Sequence, residues 1–190
     1  MLERIESNNP WTIIDKETIY ENSWIELIHH NVLNPSGGKG IYGKVHFKNK
    51  AIGVIAVDKE LNTYLVGQYR FPIEQYSWEL PEGGCPLETD SLETAKRELL
   101  EETGLVASKW LRIGDGFLSN SVSDEYAEYY LATELEQHNA EPEETEQLIV
   151  KKLPLLEVFS MVKDGRITDA LSQIPLLKLE LMLLKGELTL

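Results

Sequence analysis

The stretch GGCPLETDSLETAKRELLEETGL, residues 83–105, decides how this chain is read. Leu92, Ala95, Leu99 and Leu100 recur at helical spacing, which predicts one helix from Asp90 to Thr103, with Gly104 placed where a helix C-cap belongs. On that helix Glu98, Glu101 and Glu102 fall three and four residues apart, so their carboxylates project near one face. Such crowding costs Coulomb energy and raises pKa values unless positive charge neutralises it, which a hard divalent ion with oxygen ligands does directly. Arg97 stands beside the cluster, placed to orient a carboxylate by a forked contact. Gly83 and Gly84 let the preceding loop approach closely and offer a backbone carbonyl. The competing reading is a solvated acidic helix face, for which ELLEE is common.

The order of these residues settles between the two. The stretch resembles the Nudix box, G-x5-E-x7-R-E-U-x-E-E-x-G-U with U a bulky aliphatic residue. Gly83, Arg97, Glu98, Leu99, Glu101, Glu102, Gly104 and Leu105 match it. Thr89 departs from it, standing where the family has Glu, with Glu88 adjacent. The resemblance implies a Mg²⁺- or Mn²⁺-dependent hydrolase of nucleoside diphosphate derivatives. It makes Glu98 and Glu102 the principal metal ligands, Glu101 a further one, the backbone carbonyl of Glu82 another, and Arg97 their orienting partner. The fold it implies is α/β of the α+β kind: a mixed β-sheet sandwiched between helices, here with an N-terminal antiparallel strand extension.

Working outward, VGQYRFPIEQYSWELPEGG resembles the segment Q-Y-R-x-P-x-x-x-x-x-W-E-x-P-x-G of ADP-ribose and nucleotide-sugar Nudix enzymes. That resemblance implies a phosphate contact for Arg70 and a ribose or metal-water contact for Glu79, while Trp78 reads as core. Downstream, LSNSVSDE resembles the S-P-G-x-x-x-E loop of ADP-ribose pyrophosphatases, with Ser119 and Glu125 at matching ends and Asn120 in place of proline. Glu125, with Asp124 beside it, is the implied general base. Trp24 resembles a position that some dimeric relatives use to stack on the purine, a flat ring giving large contact area at low entropic cost; Trp11 is second choice. His29 and His30 alternate sides of a strand and read as structural.

The remaining pattern fits this frame. TIIDKETIYE, WIELIHHNVL and IYGKVHFK read as strands, with the turn NPSGGKG before the third; AIGVIAVD and NTYLVGQYRF form a second hairpin, and YSWEL a short strand ending at Pro81. KWLRIGDGF, EYAEYYLAT and QLIVKKL are further strands. LLEVFSMVKDG is an amphipathic helix closed by Gly165, and ALSQIPLLKLELMLLKG a last helix that Pro175 is expected to interrupt. Two segments are expected: residues 1–48, a β-rich part serving dimerisation and substrate binding, and residues 49–190, the hydrolase domain.

The chain of 190 residues carries 18 basic and 32 acidic side chains, a net charge of −14, which argues against a nucleic-acid partner. The run Glu141, Glu143, Glu144, Glu146 reads as an acidic loop. One cysteine, Cys85, excludes an intrachain disulfide and a cysteine-based zinc site. No apolar run reaches the length of a membrane span or signal peptide, so a cytoplasmic location is expected; the resemblance to dimeric relatives implies a homodimer. The substrate class is a nucleoside diphosphate sugar, ADP-ribose first and GDP-mannose second. A silent nucleotide-sugar sensor is the alternative from another class, but a pure binder has no need of three crowded glutamates.

Overall fold

A computed structural model describes residues 9–140 and 148–190; the acidic run at 141–146 lies outside the described residues. The chain divides into two compact units, one of residues 1–48 with 119–125, the other of residues 49–118 with 126–190.

The first unit is built on β1 (Thr12–Glu21), β2 (Ile25–Leu33) and β3 (Lys39–Phe47), an antiparallel sheet in the order β1-β2-β3. The turn between β2 and β3 is closed by Asn34, whose side-chain oxygen accepts from the N–H groups of Ser36 and Gly38, while Gly37 takes φ +82°. β1 is exposed along its whole length, with Ile13, Ile14, Ile19 and Tyr20 all facing solvent.

The second unit carries β4 (Asn49–Ala56), β5 (Asn62–Arg70), β6 (Gln75–Glu79), β7 (Glu82–Pro86), α1 (Ser91–Thr103), β8 (Leu105–Phe117), β9 (Tyr126–Gln137), β10 (Ile149–Pro154), α2 (Leu155–Lys163) and α3 (Ala170–Leu184). Its main sheet runs β7-β4-β9-β8, with β4 and β9 parallel and the other pairs antiparallel; a second antiparallel sheet runs β10-β5-β6. Alternation along the strands sorts the core. Ile52, Val54 and Ala56 of β4 and Tyr130 and Ala132 of β9 pack with Ala95 and Leu99 of α1. Ile55, Ala127, Tyr129 and Leu131, on the opposite face, pack with Val158 and Phe159 of α2 and Leu176 and Leu179 of α3. A mixed sheet between helices is thus present, as the resemblance implied. Among the described residues no helix is long and apolar enough to cross a membrane.

The local signals explain α1. The Asp90 carboxylate accepts from the N–H groups of Leu92 and Glu93, and Gly104 closes the helix at φ +70°, its N–H donating to Leu100. Three expectations need correction. AIGVIAVD and NTYLVGQYRF do not form a hairpin ladder: β4 pairs with β7 and β9, β5 pairs with β10 and β6, and the two segments meet at the isolated bridge Val57↔Thr63. The segment EGGCP, expected as loop, is β7, because its backbone pairs with β4 from Gly53↔Glu82 to Asn49↔Pro86. Pro175 does not interrupt the last helix: α3 is continuous from Ala170 to Leu184. A proline inside a helix removes one hydrogen bond and costs about 3 kcal/mol. Here Leu171, Pro175, Leu176 and Leu179 are all buried, and that apolar burial offsets the loss.

Candidate functional site

β7 and α1 together position the acidic cluster. Pairing of β7 with β4 fixes Gly83 opposite Ile52, and α1 crosses above it with Glu98 and Glu102 facing inward, 8 % and 3 % exposed. Leucine and alanine on the same helix hold it to the sheet, so the two carboxylates are buried by packing that they do not themselves supply. The Glu82 N–H donates to the Glu102 carboxylate at 3.0 Å. A side chain on Gly83 would occupy the position of the Glu98 carboxyl, so this glycine is required by close approach. Arg97 forks between two glutamates, reaching Glu98 and Glu101 at 2.5 Å each, with a longer contact to the Gly84 carbonyl at 3.5 Å. A second network, Lys50 to Ser91 at 2.6 Å and Ser91 to Glu128 at 3.1 Å, ties the start of α1 to β4 and β9.

Gly83→Ala follows as a test. The atom it would displace is the end of a flexible side chain, so the fold is expected to survive while Glu98 moves out of place. Turnover should drop by about 10²-fold, the scale of a 1 Å misplacement at a reacting centre. Unchanged kcat with an unaltered circular dichroism spectrum would show that the Glu98 position is not critical.

Arg70 and Glu79 lie beside this cluster but face each other. Arg70 Nε contacts both Glu79 oxygens at 3.0 Å, and its Nη2 reaches Glu79 at 2.7 Å and Glu82 at 2.6 Å. Burial lowers the guanidinium pKa and the two carboxylates more than compensate, so Arg70 is held charged. Its Nη1 carries none of these bonds. Two groups escaped the sequence reading: the Glu82 side chain, for which only the backbone was considered, and Asp169. The Asp169 carboxylate caps α3 by accepting from Ser172 N–H at 2.6 Å, and Ser172 Oγ accepts from Leu80 N–H at 2.8 Å. That pair of bonds ties the start of α3 to the turn after β6 and brings Asp169 within 4.8 Å of Glu79 and Glu82, measured between carboxylate oxygens. A cap signal before ALSQ was the one local hint of Asp169.

Glu125 and Trp24 belong to the strand-rich unit. The loop ending at Glu125 is fastened to β3: Val45 and Val122, and Asp124 and Val45, exchange backbone bonds, and Tyr42 Oη donates to the Ser121 carbonyl at 2.7 Å. Asp124 is the main anchor, meeting Lys44 and His46 at 2.7 Å and the Phe47 N–H at 2.8 Å. Burial pushes the Asp124 carboxyl up, but hydrogen bonds from Lys44, His46 and Phe47 outweigh it and hold it at about 2. A depressed folded-state pKa stabilises above the unfolded value of 3.8 and is lost as pH falls toward 2. Asp124→Asn should therefore flatten the acid limb of the Tm-against-pH curve across that window; an unaltered limb would remove Asp124 from the account. Trp24 is 67 % exposed at the β1–β2 turn. Trp11 packs edge-on against Tyr42, ring centroids 5.6 Å apart, and lines a cavity of about 340 Å³ with His30, Val32 and Lys44. His30 turns its Nδ1 to the Tyr42 carbonyl at 3.3 Å.

The buried pair Glu98 and Glu102, the Gly83 cradle and the Arg97 fork form an oxygen-rich donor set suited to a hard cation. The family model described as the NUDIX domain matches residues 48–170, and so spans this whole arrangement. The chain belongs to the Nudix family. Among Nudix relatives, the ADP-ribose pyrophosphatase of Bacillus subtilis is 31 % identical over 83 % of this chain and 85 % of its own length. The ADP-ribose pyrophosphatase of Mycobacterium tuberculosis is 32 % identical over 84 % of this chain and 78 % of its own. The methanol dehydrogenase activator of Bacillus methanolicus is 32 % identical over 88 % and 91 %. A solved structure described as an ADP compounds hydrolase superposes with a TM-score of 0.80 at 20 % identity, covering 96 % of this chain and all of that one, a likeness of fold.

Proposed function

We propose that this Nudix protein hydrolyses the diphosphate bond of ADP-ribose, giving AMP and ribose 5-phosphate, with Mg²⁺ or Mn²⁺ as cofactor. The observation that carries the reading is the burial of Glu98 against Gly83 and of Glu102 against the Glu82 N–H, with Arg97 bridging Glu98 and Glu101. A buried carboxylate keeps its charge best beside a cation, and Arg97 supplies one positive charge to Glu98 and Glu101. The names of the two bacterial relatives support ADP-ribose as the substrate.

Glu98, Glu102, Glu101 and the Glu82 carbonyl would hold the metal. A divalent ion bound there supplies charge neutralisation on the diphosphate and a water of lowered pKa. The chain's own groups do the rest. Arg97 orients the glutamates, Glu79 holds the Arg70 guanidinium, and Arg70 Nη1 is left to meet a phosphate oxygen. Glu125 takes the proton of the attacking water, and Asp124 holds its loop on β3. Trp24 stacks on the nucleobase; Trp11, beside a cavity, is the other ring placed for that task.

Residues 49–190 form the hydrolase domain in this reading, and residues 1–48 a dimerisation and substrate-binding segment of a cytoplasmic homodimer. The exposed apolar side chains of β1 support a self-association surface. The decisive experiment is product analysis of the purified protein with Mg²⁺ or Mn²⁺ against ADP-ribose, GDP-mannose, other nucleotide sugars, dinucleotides and nucleoside triphosphates. Selective release of AMP from ADP-ribose is expected. Preference for GDP-mannose would move the substrate, and binding without turnover would overturn the enzyme assignment.

A further inference from the structure

We propose that Glu79, Glu82 and Asp169 form a second hard-cation site, adjoining the carboxylates of α1 but built from other side chains, that takes one divalent ion beside Arg70. Charge is the first argument. Three carboxylates meet there, and Arg70 is the cation paired with Glu79 and Glu82 among the described residues. Three carboxylates share one guanidinium there, and a divalent ion supplies the positive charge that lets all of them stay ionised side by side.

The second argument is a buried acceptor without a partner. Glu82 has 9 % of its side chain exposed, its Oε1 meets Arg70, and its Oε2 is buried with no hydrogen bond. A buried oxygen in that state costs the full desolvation of the group unless something fills its lone pairs.

Spacing is the third. One oxygen from each residue lies within 4.8 Å of the others. Opposite ligands of a single ion stand two bond lengths apart, about 4 Å for Mg²⁺ and about 5 Å for Ca²⁺, so the three oxygens fit one ion of this size range. The elements are rigid enough to present such a set: β6, the first residue of β7, and the cap of α3 anchored through Ser172. Asp169 caps α3 with one oxygen, which leaves the other for a metal.

The test is a Mn²⁺ titration of the full chain without nucleotide, free Mn²⁺ being counted by its electron paramagnetic resonance signal. In a Glu98→Gln/Glu102→Gln background one equivalent is expected to remain, and adding Asp169→Asn or Glu82→Gln should abolish it or weaken it by at least about tenfold. Asparagine caps a helix as well as aspartate, so Asp169→Asn keeps α3 folded, and thermal melting checks this. The absence of any equivalent sensitive to Asp169 and Glu82 overturns the proposal. No substrate enters this measurement, so its outcome is distinct from success or failure of the ADP-ribose reading.

Discussion

Glu102→Gln is expected to lower kcat for ADP-ribose by about 10³-fold at saturating Mg²⁺, the worth of several kcal/mol of charge stabilisation at the reacting phosphate. The amide is the same size as the carboxylate and still accepts from the Glu82 N–H, so the packing under α1 is kept. What disappears is one negative charge from a buried set. The stability signs follow from that. Without metal, Tm should hold or rise, because repulsion with Glu98 is relieved. With metal, the wild type gains stability by mass action and the variant gains less. A variant that turns over ADP-ribose at near wild-type rates with Mg²⁺ would sink the metal assignment for α1.

Glu125→Gln has the second large effect, a fall of about 10²–10⁴-fold in kcat, the range expected on losing a positioned general base. Its anchor residues are untouched, since Lys44, His46 and the Phe47 N–H act on Asp124. KM should therefore change little. An unchanged kcat at saturating substrate would place the base elsewhere. The pair of variants separates two roles: Glu102→Gln alters Mn²⁺ affinity without nucleotide present, and Glu125→Gln does not.

The box helix was legible because its cues are local. Asp90 caps it, Gly104 ends it, and the leucines between show the period, so α1 spans Ser91–Thr103 as the spacing predicts. β1 coincides with TIIDKETIYE for the same reason. β7 was hidden because EGGCP has the composition of a turn, and only a neighbouring strand makes it extended. Pro175 misled because propensity is local, whereas the burial that keeps α3 whole comes from side chains far away in sequence. The site shows the same divide. Glu98, Glu101, Glu102 and Arg97 share one helix and were visible together, while Asp169 joins Glu79 and Glu82 through a helix cap that no motif near them announces.

The parallel pairing of β4 with β9 has a kinetic side. Ala51 finds Ala127 and Ala56 finds Ala132 across a long intervening segment that includes β5, α1 and β8. Closing such a loop costs entropy before any contact rewards it, so this sheet is a slow-forming part of the chain. The box residues are synthesised before β9, so α1 has no completed sheet to pack on until residues 126–137 have followed it. Assembly of the catalytic centre is therefore a late event of folding, and synthesis halted before residue 126 yields a chain that carries the whole motif and lacks the strand it rests on.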